Sequence, residues 1–204
     1  MRVVSFLHQK GGTGKSTLSI SLATSLAASG MRVLLLDADY QGTSGEWGNR
    51  FSAKFGLEVR SQVQPIVHQE CGRFAASVDW IVIDGPPGLS EMTESVLGAG
   101  GRVIVPLRPA LPDVWALPWF AAVVGKARNT GSSASPLVVF NQHRGEELAP
   151  LLHEAAAWGL PVHPEPVPDN PAFPALFRGE ALPDFLRACV IRLSEGIPEW
   201  SPPR

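Results

Sequence analysis

The chain has 204 residues, 45% hydrophobic and 18% charged, with 20 glycines and 19 prolines. That is the composition of a globular, loop-rich protein with enough apolar material for one large core, and it excludes a disordered or fibrous chain. A net charge of −2 leaves no whole-chain basic field to hold nucleic acid or an anionic membrane, so any such contact must be local. The two cysteines, Cys71 and Cys189, fit neither a disulfide framework nor a clustered metal site, which suggests a reducing cytoplasm. Only a few apolar residues precede His8 and no apolar stretch approaches the length of a membrane span, so neither secretion nor membrane insertion is expected.

Five continuous apolar runs rich in β-branched residues and Leu read as strands buried on both faces: Val3–Leu7, Val33–Leu36, Trp80–Ile83, Val103–Leu107 and Leu137–Phe140. Between the first two, Thr17–Ser29 carries Leu18, Leu22 and Leu26 at helical spacing, with Gly30 where a helix-terminating glycine belongs. Strands alternating with helical segments predict a single α/β domain over residues 1–204. Its sheet is doubly wound, mostly parallel and flanked by helices on both faces. The stretch from Trp47 to Gln69 has a mixed pattern and receives no assignment.

Ligands of such sheets bind beyond the carboxyl ends of the strands, so the residues that close each run matter most. They are His8-Gln9 and a glycine-rich loop, then Asp37 and Asp39, Asp84-Gly85-Pro86-Pro87, Arg108-Pro109, and Asn141-Gln142. Singly, each is an ordinary strand terminator; jointly they outline a site.

The sharpest signal is Lys10-Gly11-Gly12-Thr13-Gly14-Lys15-Ser16-Thr17, between a strand and a helix. Its glycines let successive backbone N–H groups converge on an anion, and the following helix offers its positive end to the same charge. Lys15 is placed for the β- and γ-phosphates of a nucleotide, Ser16 for Mg²⁺ and Thr17 for the α-phosphate.

The position five before Gly14 is Gln9, not the glycine of the common phosphate loop. The form K-G-G-x-G-K-[ST] instead resembles the deviant Walker A box of the ParA/MinD family of P-loop ATPases. The resemblance implies ATP and Mg²⁺ as ligands. It casts Lys10 as the signature lysine that reaches the nucleotide of the other subunit in an ATP-sandwiched homodimer. Asp37-Ala38-Asp39-Tyr40-Gln41-Gly42 is similar to the family's switch I segment, with Tyr40 where proline is commoner. Two aspartates two apart on a strand point the same way. By resemblance Asp37 joins the Mg²⁺ water shell and Asp39 positions the attacking water, so Lys10, Lys15 and Asp39 carry catalysis. Asp84 takes the Walker B position and holds Mg²⁺ through water. Asn141 and Pro168-Asp169-Asn170 stand where family members contact the base, although a turn asparagine and a Pro-rich surface loop explain them equally well.

The resemblance runs from Val3 to about Phe185 and is strongest to short ParA-type partition proteins without an N-terminal helix-turn-helix extension. It implies an ATP-dependent homodimer, non-specific DNA binding and a ParB-like or other small adaptor that stimulates hydrolysis, in a cytoplasmic protein that is nucleoid-associated when bound to DNA. Alternatives are a MinD-like or regulatory ATPase acting on a protein cargo and an ATP-dependent small-molecule ligase or kinase. A MinD-like terminal membrane helix conflicts with the tail Ile197-Pro198-Glu199-Trp200-Ser201-Pro202-Pro203-Arg204. A nitrogenase-type iron protein needs cluster cysteines near Asp84, where none lies before Cys189. Arg178, Arg187 and Arg192, diluted by Glu180, Asp184 and Glu195, read as a solvated helical face, with a basic surface generated by dimerisation as the functional alternative. Trp115, Trp119 and Phe120 are expected to pack a helix onto the sheet or onto a dimer partner. The five histidines lack ligand spacing, and both thiols are expected to be inert.

Overall fold

A computed structural model describes residues 1–197 and 199. Six parallel strands form one sheet in the order β3-β2-β4-β1-β5-β6: β1 (Arg2–Phe6), β2 (Val33–Asp37), β3 (Glu58–Ser61), β4 (Trp80–Asp84), β5 (Arg102–Leu107) and β6 (Ser135–Phe140). The helices are α1 (Lys15–Ala28), α2 (Thr43–Phe55), α3 (Val67–Phe74), α4 (Glu91–Gly98), α5 (Leu111–Val114), α6 (Leu117–Asn129), α7 (Ala149–Ala156), α8 (Ala172–Ala175) and α9 (Asp184–Arg192), with a 3₁₀ turn at Leu176–Arg178.

Alternate residues of each central strand feed two separate cores. Val3, Leu34, Leu36, Ile81 and Ile83 face the core shared with α3, α4, α6 and α7. Val4, Leu35, Trp80 and Val82 face the one shared with α1, α2, α8 and α9. Because both faces are covered, the strands are apolar throughout, which is why they are visible as continuous runs.

The sequence leads to five strands and the fold has six. The extra one, β3, lies inside the unassigned stretch; Glu58-Val59-Arg60-Ser61 is an edge strand paired only with β2 and largely exposed. With one strand neighbour and a single apolar side chain, Val59, packed against the core beside α2, it needs no continuous apolar run. The first helix starts two residues earlier than expected, at Lys15, and Gly30 follows it at φ 84°. The Pro-rich stretch after Leu160 is more than a surface loop. His163 N–H donates to Val138 O (2.8 Å) and Val167 N–H to Phe140 O (2.8 Å), so the stretch runs beside β6 and carries Pro168 toward the phosphate loop.

Phe120 is fully buried, whereas Trp115 and Trp119 stand exposed and do not pack on the sheet. Burial pushes the Cys71 thiol up to about 12 and raises that of Cys189, in keeping with inert thiols. Among the described residues no helix is long and apolar enough to cross a membrane. The terminal segment read against a membrane helix lies largely outside the described residues.

Candidate functional site

The loop from β1 to α1 turns on Gly12 (φ 74°) and Gly14 (φ 94°), backbone conformations that side chains rarely adopt. A Cβ at Gly14 would collide with the Asn141 carboxamide. Helix α1 has no acidic residue in its first turn and no side-chain cap. Its positive end is therefore free for an external anion. Lys15, the first helical residue, is 7% exposed and its Nζ donates to Lys10 O (3.3 Å). Burial depresses its pKa, while Asp84 and Asp39 pull it back up. Thr13 Oγ1 is buried without a hydrogen-bond partner.

Sheet register brings the carboxylates to this loop. Asp37 pairs opposite Asp84, and Asp84 also lies opposite Phe6, at the end of β1 from which the loop departs. Asp37 Oδ1 accepts from Asp39 N–H (3.0 Å) and Oδ2 from Gly45 N–H (2.6 Å). Burial raises its pKa despite those bonds. Asp39 Oδ1 accepts from Gln41 N–H (3.0 Å), which fixes its side chain at the turn.

Asp84 is fully buried, and burial pushes its pKa up to about 7 against the opposing pull of Ser44, Ser16 and Lys15. Its Oδ2 accepts from the Ser44 hydroxyl (2.6 Å), while Oδ1 has no partner. An orphaned buried carboxylate oxygen, beside a serine hydroxyl and a second carboxylate, is a donor set suited to a hard divalent cation that keeps waters and takes phosphate oxygens. The residues present thus fit Mg²⁺ with a nucleotide. Among the described residues there is no group of three or more His, Cys, Asp or Glu placed to hold a metal without such added ligands.

On the other side of the loop, Asn141 Nδ2 donates to Thr13 O (2.8 Å) and Gln142 Nε2 to Gly12 O (3.3 Å). Among the described residues Gln142 is the one non-glycine residue with a left-handed backbone, φ 61°. Such strain persists where surrounding structure imposes it. Asn141, Pro168 and Asp169 share with Gly14, Thr17 and Phe177 the wall of a cavity of about 210 Å³. Asn170 caps the next turn, its Oδ1 accepting from Ala172 N–H (3.0 Å), and Asp169 is tied to Arg144 (2.6 Å). The expected base-contacting residues therefore cluster against the loop, with Asn170 set back in a structural role.

Lys10 does not project freely. Its Nζ donates to Pro112 O and to Asp113 Oδ1 (3.1 Å). Asp113 is 1% exposed and also takes two bonds from the Arg108 side chain (2.8 and 3.0 Å). Burial alone would raise its pKa, but the bonds from Arg108 and Lys10 outweigh it and hold the carboxylate below its usual range. Sequence reasoning missed Asp113 and Ser44. The only signal for Asp113 was its place five residues after a strand ending in Arg108, and Ser44 had none beyond its nearness to Asp39.

The chain is 37% identical over 114 residues to the maintenance of carboxysome distribution protein A of Gloeobacter kilaueensis, covering 55% of this chain and 52% of that one. It is 60% identical over 123 residues to the chromosome partitioning protein ParA of Caulobacter vibrioides, covering 56% and 43%. The chain thus spans about half the length of these curated relatives. Cobyrinic acid a,c-diamide synthase from Mycobacterium smegmatis, solved with an ATP analogue and magnesium, shares the fold with a TM-score of 0.75 at 21% identity, over 100% of this chain and 99% of that one. Residues 4–182 match the CobQ/CobB/MinD/ParA nucleotide binding domain, and the chain belongs to that P-loop family.

Proposed function

We propose that this chain is a Mg²⁺-dependent ATPase of the ParA type, a single cytoplasmic domain that pairs on ATP, binds DNA without sequence preference, and positions a cargo through an adaptor that stimulates hydrolysis. The observation that carries the reading is the meeting of Lys10–Thr17 with the half-satisfied carboxylate of Asp84 at one edge of the sheet. The backbone amides after Gly11, the α1 terminus and Lys15 bind the phosphates. Ser16, Asp37 and Asp84 hold Mg²⁺, which neutralises phosphate charge when bound. Asp39, anchored through Gln41 N–H, orients the attacking water. Asn141, Pro168 and Asp169 border the base.

Relatives named for chromosome partitioning and for carboxysome distribution support cargo positioning. Support for DNA is thinner. Arg178 pairs with Glu180, Arg187 with Asp184 and Arg192 with Glu165. DNA must displace those partners, so the contact should be weak and steeply salt-dependent.

The test uses Asp39→Ala, expected to bind ATP and pair but not turn over. It is mixed with a random-sequence duplex at low and moderate salt, with ATP, with ADP and without nucleotide. ATP-only, salt-sensitive binding supports the reading. A paired protein that ignores DNA in every state overturns the DNA step in favour of a protein cargo. Wild-type turnover in Asp39→Ala removes that residue from the water-positioning role.

A further inference from the structure

Three large apolar side chains are exposed along the segment that joins α5 to α6: Leu111 at the start of α5, Trp115 at its C-terminal cap and Trp119 in the first turn of α6, four residues apart and 44%, 59% and 67% exposed. Their neighbours Leu117 and Phe120 are fully buried. The segment therefore gives Leu117 and Phe120 to the core and leaves Leu111, Trp115 and Trp119 uncovered. Isolated apolar residues on a surface are ordinary, but Trp is enriched among the residues that anchor protein interfaces, and two lie here within five positions.

The stripe is placed beside the nucleotide loop. Leu111 is followed directly by Pro112 and Asp113, whose carbonyl and carboxylate receive Lys10 Nζ. Gln9 Nε2 donates to Ala116 O (3.3 Å), one residue beyond Trp115. Whatever draws Lys10 away from Pro112 and Asp113 acts beside the first turn of α5, the turn that also carries Leu111.

We infer that Leu111, Trp115 and Trp119 form the apolar seat on which a second copy of this chain rests when nucleotide is bound. This rests on the proposed ATP-dependent pairing and names the surface that holds it. At the exposures above the stripe offers about 400 Å² of apolar area, roughly half of the ~800 Å² that each partner buries in a stable interface. The rim of the phosphate loop supplies the remainder. Two-fold pairing presents the same patch from both copies, so each residue counts twice.

The experiment compares Asp39→Ala with the same protein also carrying Trp115→Ser and Trp119→Ser, by sedimentation velocity over a concentration series with Mg²⁺ and ATP. Both side chains are exposed, so the fold and the ATP affinity of the single chain should be retained, checked by urea unfolding and by titration of a fluorescent ATP analogue. Self-association should weaken by about thirtyfold or more, and in the parent ATP should shield tryptophan emission from acrylamide. If the parent pairs and the substituted protein pairs equally well, the seat is wrong while ATP-dependent pairing stands. If the parent stays monomeric with ATP bound, pairing and seat fall together.

Discussion

Asp84→Asn separates the needs of the fold from those of the site. The carboxylate is fully buried, and burial lifts its pKa from the usual 3.8 to about 7. Each pH unit of that rise corresponds to about 1.4 kcal/mol. Above pH 7 the folded chain holds an ionised group that the unfolded chain would solvate freely, so the native state is penalised by about 4 kcal/mol at pH 8. The attraction of Lys15 and the bond from Ser44 are already inside that balance. As pH falls through 7 the folded carboxyl takes up its proton while the unfolded one waits until near 4. The penalty therefore shrinks, to about 1 kcal/mol at pH 4.5. Asparagine matches the protonated acid in shape and still accepts from Ser44. Urea unfolding in a chelator should find Asp84→Asn the more stable protein at pH 8, with the advantage fading toward pH 4.5. Adding Mg²⁺ and ATP should reverse the order, because wild type gains a cation on Oδ1 and the variant does not. An equal difference at both pH values, or a variant less stable at pH 8, would refute the reasoning.

Three further outcomes are expected. Lys15→Ala removes the buried charge nearest the loop and should weaken ATP binding about tenfold to a hundredfold in a fluorescent-analogue titration; unchanged affinity dismisses the role. Gly14→Ala combines an unfavourable φ of 94° with the collision at Asn141. It should lower stability by about 1–3 kcal/mol and abolish nucleotide binding, and wild-type unfolding midpoints would count against the tight fit. His8 is buried, and that burial, aided by Lys15, Lys10 and Arg108 and opposed by Asp113, pushes its pKa down to about 4. The unfolded chain then binds the proton first, so stability is full above pH 6.5 and drains as pH falls toward 4, by about 2 kcal/mol at pH 5. His8→Asn should lose that slope between pH 7 and pH 5, and an unaltered slope would assign it to other groups.

What sequence could reveal of this protein depended on whether each demand was local. Strands covered on both faces must be apolar residue after residue, and β1, β2, β4, β5 and β6 were visible for that reason. β3 was hidden because its stability comes from pairing with β2. Phosphate binding imposes its glycines and lysines within eight consecutive positions, so Lys10–Thr17 could be read directly. The bonds that organise the site join distant parts of the chain: Ser44 to Asp84 across 40 positions, Lys10 to Asp113 across 103, Asn141 to Thr13 across 128. No pattern of types or spacing encodes them; only the strand order does. The Lys10 contact also limits how pairing can work. Asp113 is buried, and a buried carboxylate stripped of all partners would be strongly unfavourable. Arg108 is bonded to both of its oxygens and would still satisfy it without Lys10. The cost of releasing Lys10 is then one partly exposed ion pair and its bond to Pro112 O rather than an orphaned charge, small enough for the nucleotide of a second copy to overcome in the proposed pairing.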